Sequence, residues 1–159
     1  MPGTKPVLSV LSAIKSYFTA SLHPTSEARV TIVALLVEER DCELLVDVCH
    51  RHRWDVRFAA TCADASDAAN RLKAPLVFCD RDLPGTDWRD LVHVLAAPPH
   101  NACVVLVSRV TDAYLWDEVV HKGGYDLLSK PLQEVDVVRV VKLGWSYWNT
   151  TRGRRENAG

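Results

Sequence analysis

Four polar positions in this sequence each follow a run of apolar residues, and their types could together handle a phosphorylated group. Glu38-Glu39 follows Val30–Val37, Asp80 ends Pro75–Cys79, Ser108 follows Cys103–Val107, and Lys130-Pro131 comes just after Tyr125–Leu128. Clustered carboxylates repel one another and persist when a cation lies between them. Mg²⁺ suits such a cluster, because it prefers hard oxygen ligands, takes one or two carboxylates, and keeps water or phosphate oxygens as the rest. A carboxylate can attack phosphorus as a nucleophile. A metal, an ammonium from Lys130 and a hydroxyl from Ser108 would then hold the phosphoryl oxygens around Asp80. Phosphoryl transfer asks mainly for positioning and charge neutralisation, so this set is chemically sufficient. Taken singly, each residue also has an ordinary structural role. Glu38 and Glu39 could favour a helix N-terminus, Asp80 could form a turn, Ser108 could be an N-cap, and Lys130 could be a surface charge.

The elements that must bring these residues together follow from hydrophobic periodicity. Val30–Val37 is a continuous apolar run, as expected for a strand buried on both faces. Cys42–His52 has helical spacing, Asp55–Ala60 alternates as a strand, and Asp64–Leu72 is a helix with a small-residue face. Pro75–Asp80 reads as the third strand and Asp87–Leu95 as a helix closed by Pro98-Pro99. Cys103–Val107 is the fourth strand, Asp112–Lys122 a helix stopped by Gly123-Gly124, Tyr125–Leu128 a short fifth strand, and Leu132–Trp148 a long last helix. Strict alternation of strand and helix predicts an α/β fold, a doubly wound five-stranded parallel sheet with helices on both faces. In open sheets of this kind ligands bind at the carboxyl ends of the strands, where all the polar positions above fall.

Composition narrows the classes. With 159 residues, 48% hydrophobic and 25% charged, the chain suits one domain with a short appendage. A net charge of -1 gives no electrostatic reason to expect nucleic acid or an anionic membrane as a partner. The sequence contains no stretch of 18 uncharged apolar residues, and Lys15 interrupts the apolar N-terminal segment, so neither a membrane span nor a signal peptide is expected. The five cysteines are odd in number and lack a CxxC pair, which predicts reduced thiols in a cytoplasmic protein. His50 and His52 would point to different faces of a helix, so they form no metal site. Residues 1–28 form an N-terminal extension, with apolar residues at helical spacing that predict one amphipathic helix from Val7 to Leu22. Residues 29–149 form the main domain. Residues 150–159, including Arg152-Gly-Arg-Arg155, are expected to be a basic flexible tail.

From about Arg29 to Trp148 the sequence resembles a response-regulator receiver domain of bacterial two-component signalling. The resemblance rests on the acidic pair after the first strand, on Asp80-x-x-x-Pro84-Gly85, on Ser108 and on Leu128-Ser129-Lys130-Pro131. It implies a flavodoxin-like fold with strand order 2-1-3-4-5 and a phosphoacceptor at Asp80, supplied by a sensor histidine kinase or phosphotransfer protein. It also implies Mg²⁺ held by Glu38, Glu39, Asp80 and the backbone carbonyl of Asp82, with Ser108 and Lys130 closing on the phosphoryl group. Such a protein is a signalling switch rather than a metabolic enzyme. The eleven residues after Trp148 are too few for a DNA-binding module, so a stand-alone receiver would signal by protein contact. The fourth helix, fifth strand and fifth helix would form the face for a downstream partner or for self-association. The last helix has a wider apolar surface than packing on a sheet requires, and Tyr114, Leu115 and Trp116 would extend it. The N-terminal helix of this chain, that helix from a second copy, or a separate protein could cover the surplus.

The sequence departs from the family at four places. Glu39 replaces the usual second aspartate, Arg109 follows Ser108 where a small residue is usual, Leu127 occupies the aromatic switch position, and Asp87-Trp88 follows Pro84-Gly85-Thr86 in place of Asp-Gly. Glu39, Arg109 and Leu127 support the alternative of a pseudo-receiver, an interaction module without a working phosphorylation switch, while the retained Asp80, Ser108 and Lys130 argue against it. A flavin- or nucleotide-binding protein of the same fold fits less well, because no glycine-rich loop follows the first strand.

Overall fold

A computed structural model describes residues 29–158. Five strands alternate with five helices: β1 (Thr31–Leu35), α1 (Glu39–His52), β2 (Asp55–Phe58), α2 (Cys62–Leu72), β3 (Leu76–Asp80), α3 (Trp88–Ala96), β4 (Cys103–Ser108), α4 (Ala113–His121), β5 (Asp126–Ser129) and α5 (Glu134–Ala158). The sheet is parallel throughout, in the order β2-β1-β3-β4-β5. Both the doubly wound architecture and the strand order are those expected from the sequence. The extra N-terminal helix expected at Val7–Leu22 lies outside the described residues.

Side-chain alternation divides the core into two layers. Ile32, Ala34, Leu76, Phe78, Val105 and Val107 point to one face, where Leu45, Val48 and Cys49 of α1 and Val137, Val140 and Val141 of α5 cover them. Val33, Leu35, Val77, Cys79, Val104 and Leu106 point to the other, under α2, α3 and α4. The three central strands are therefore apolar on both faces, which is why they read as continuous runs.

The helix starts set the upper edge. Thr61, Asp87 and Asp112 accept hydrogen bonds from the backbone amides of Asp64, Arg89 and Leu115 at 3.1, 3.0 and 2.8 Å, and so cap α2, α3 and α4. Glu38 stands at the equivalent position of α1, but its side chain makes no capping bond. It is left available for other partners. At the end of α4, Gly123 has a φ of +95°, a left-handed conformation that glycine adopts without steric cost.

Two expectations are corrected. Residues 150–159 were expected to form a flexible tail, yet α5 continues to Ala158. Trp148 is buried and anchors the helix, Thr150 and Thr151 donate to the carbonyls of Ser146 and Tyr147 at 3.0 Å, and Arg152 pairs with Glu156 one turn on at 2.9 Å. On α4, Leu115 is buried and does not extend the exposed apolar patch, whereas Tyr114 and Trp116 are exposed. Val135, Leu143 and Tyr147 carry the patch along α5, so its apolar surplus does face outward.

Candidate functional site

The order reverses between β1 and β3, and the chain leaves these strands in opposite directions, opening a crevice at their carboxyl ends. Asp80 is the last residue of β3 and is fully buried. Its Oδ1 accepts from the Asp82 amide at 3.0 Å, and its Oδ2 accepts from the Val37 amide at 3.4 Å. Those amides belong to the segments that leave β3 and β1. The backbone therefore fixes the carboxylate from both sides of the crevice.

Lys130 reaches the same point from beyond β5. Its Nζ lies 2.5 Å from Asp80 Oδ2 and 3.3 Å from Glu38 Oε1. The Lys130 amide donates to the Ser108 carbonyl at 3.0 Å, which ties this segment to the end of β4. Burial works against the ammonium, but Asp80 and then Glu38 outweigh it and raise the Lys130 pKa above its ordinary value. Burial likewise pushes Glu38 up, while Lys130 and Arg109 together bring its carboxyl below the usual range. The Arg109 guanidinium pairs with Glu38 from the solvent side. A chain of alternating charge thus runs Arg109, Glu38, Lys130, Asp80.

The residues singled out in the sequence are placed unevenly. Asp80, Lys130 and Glu38 come together. Ser108 is buried at the end of β4, but its hydroxyl accepts from the Val110 amide at 3.1 Å and so serves the local turn. Asp82 is exposed and contributes its amide to Asp80. Glu39 begins α1, and no ion pair involves it among the described residues. Among those residues no group of three or more His, Cys, Asp or Glu side chains is arranged to hold a metal ion. The three expected acids do not form such a group here, and the Glu38 carboxylate is paired with Lys130 and Arg109. The donor chemistry still fits a hard dication, since two carboxylates converge at the crevice and the Glu38 side chain stays 32% exposed on its outer side, where Arg109 rather than Lys130 meets it.

Asp41 belongs to the site's support, and the sequence reading missed it. This buried acid in the first turn of α1 accepts from the Leu132 amide at 2.9 Å, while its other oxygen has no partner. It thereby holds the Lys130-Pro131-Leu132 segment against α1. Its sequence signal was hidden, because an acid in a first helical turn is usual for dipole reasons alone. Burial pushes the Cys42, Cys49 and Cys103 thiols up to about 12, away from a reactive thiolate.

No family model matches the chain, and neither does any curated protein. Solved structures do. A signal receiver domain from Vibrio parahaemolyticus superposes with a TM-score of 0.70 at 18% identity, covering 79% of this chain and 96% of that one. A CheY-like response regulator receiver domain protein from Methanospirillum hungatei gives 0.68 at 13% identity, over 78% and 99% of the two chains. NtrX from Brucella abortus gives 0.70 at 20% identity, over 81% of this chain and 29% of that longer one. The chain has the fold of response-regulator receiver domains, flavodoxin-like with strand order 2-1-3-4-5. Among the described residues no helix is long and apolar enough to cross a membrane.

Proposed function

We propose that this protein is a response-regulator receiver that accepts a phosphoryl group on Asp80 from the phosphohistidine of a sensor kinase or phosphotransfer protein. The observation that carries this reading is the position of Lys130 Nζ, 2.5 Å from a buried Asp80 carboxylate at the β1–β3 crevice. In the transfer, an Asp80 carboxylate oxygen forms a bond to phosphorus as the phosphorus–nitrogen bond breaks, and the electron pair leaves with the donor imidazole. Lys130, freed from the carboxylate charge, pairs with the phosphoryl oxygens. Ser108 exchanges its contact with the Val110 amide for one to the same group. Glu38, Glu39 and Asp80, with the Asp82 carbonyl, would come together from these ligand-free positions to hold Mg²⁺, which would supply neutralisation of phosphoryl charge.

The output is a change in surface rather than a reaction on a metabolite. The Lys130 segment joins β5 to α5, so a shift of Lys130 is felt on the α4-β5-α5 face. Exposed Tyr114, Trp116, Val135, Leu143 and Tyr147 on α4 and α5 suit that face to a protein partner or a second copy. Leu127 on β5 means that any switch here does not use an aromatic rotamer at that position.

The test is incubation with a small acyl phosphate donor and Mg²⁺, followed by intact-mass measurement. Wild type gains the mass of one phosphoryl group and Asp80→Ala gains none. No gain in wild type, with the donor active on another receiver, favours an interaction module whose site is held shut by the Arg109–Glu38–Lys130 chain.

A further inference from the structure

Two cations share Glu38, and they are held very differently. Lys130 lies inside, with 2% of its side chain exposed, and is fastened by Asp80 as well as by Glu38. Arg109 lies outside, with 64% exposed, and Glu38 is its sole ion-pair partner among the described residues. An exposed ion pair of this kind is weak, because water competes for both partners and the long side chain loses freedom in making it. The Glu38 carboxylate is also unusual for its position. It stands at the N-cap of α1 but makes no capping bond, and among the described residues its ion pairs are to these two cations alone. A dication arriving from solvent meets a carboxylate that is already neutralised and a guanidinium that repels it.

We infer that Arg109 competes with the divalent cation for Glu38, so that metal enters the site by displacing the guanidinium. The inference rests on the reading of the Glu38–Asp80 crevice as a metal-assisted phosphoacceptor site, and adds to it a residue that sets how readily metal binds. Of the two cations, Arg109 is the replaceable one, because Lys130 keeps Asp80 when Glu38 is withdrawn. Arg109 thereby makes the ligand-free site self-neutralising and raises the metal concentration at which the switch becomes competent.

Titration calorimetry of Mg²⁺ into the full chain, without any phosphodonor, tests this. Arg109→Ala is expected to tighten Mg²⁺ binding by roughly fivefold to tenfold, the product of losing a weak competing pair and a nearby like charge. Arg109→Lys, which keeps the charge but not the forked geometry, is expected to gain less. In a Glu38→Gln background the gain from Arg109→Ala is expected to shrink, since the contested carboxylate is gone. The melting temperature without metal should stay within error for Arg109→Ala, which separates competition from a structural effect. Equal or weaker Mg²⁺ binding by Arg109→Ala, alongside binding in wild type that Asp80→Ala loses, overturns the competition while leaving the metal-site reading intact. No Mg²⁺ binding by any variant overturns both.

Discussion

Replacing Lys130 with methionine removes a buried ammonium while keeping the length of the side chain, and leaves the Asp80 carboxylate without its counter-charge. Both groups are shielded: 2% of the Lys130 side chain and none of the Asp80 side chain is exposed. Breaking a buried ion pair by deleting one partner costs about 3–5 kcal/mol, because the surviving charge stays desolvated. Two backbone amides, those of Asp82 at 3.0 Å and Val37 at 3.4 Å, remain on the carboxylate and place the expected loss at the lower end, about 3 kcal/mol. For a domain of this size that lowers the melting temperature by roughly 10 °C. Asp80→Asn should cost less, about 1 kcal/mol, because Lys130 keeps Glu38 at 3.3 Å and the Asn oxygen still accepts from one of the two backbone amides. The double variant should be more stable than the sum of the single losses by at least about 1 kcal/mol. Urea unfolding followed by tryptophan fluorescence measures all three. A loss below about 1 kcal/mol for Lys130→Met, or strict additivity, would refute the argument that these charges depend on one another.

Two further outcomes follow from the packing and the charges. Gly124→Ala should destabilise by about 1–3 kcal/mol in thermal or urea unfolding, because the new Cβ would lie 2.5 Å from Val119 Cγ1 and 2.9 Å from the Val119 carbonyl oxygen, and a backbone oxygen cannot swing aside. The Glu38 carboxyl is lowered in the folded state from an ordinary value of 4.5, so its contribution is present above that pH and lost as pH falls through the folded value. The stability difference between wild type and Glu38→Gln should therefore be largest near neutrality and shrink in acid below 4.5, and a difference independent of pH would contradict the pairing.

The fold was legible because its three central strands are buried on both faces and its helices on one. Ile32, Phe78 and Val105 sit in runs that no amphipathic helix would tolerate, and the strand order then follows from the family resemblance. Boundaries were less legible where the site begins. Val30–Val37 reads as one strand, but β1 ends at Leu35, and the Val37 amide turns to Asp80 instead of a neighbouring strand. Helix α1 starts at Glu39 rather than Cys42, since its first turn is polar and carries the buried Asp41. The end of α5 was hidden for a different reason: Arg152, Arg154 and Arg155 read as solvated charge, and the pairing of Arg152 with Glu156 and Trp148 depends on the helix already being formed. At the site, residue types pointed to Asp80 and Lys130, which do meet. They could not show that Arg109, 71 residues along the chain from Glu38, folds back onto it.

The claim at the centre of this account is that Asp80 itself carries the phosphoryl group. Borohydride reduction after treatment with an acyl phosphate donor and Mg²⁺ tests it most directly, since an aspartyl phosphate is reduced to homoserine while a free carboxylate is not. Peptide mapping by mass spectrometry should find homoserine at position 80 in treated wild type and aspartate there when the donor is omitted. Aspartate alone at position 80 after treatment, with the donor active on another receiver, would contradict the account.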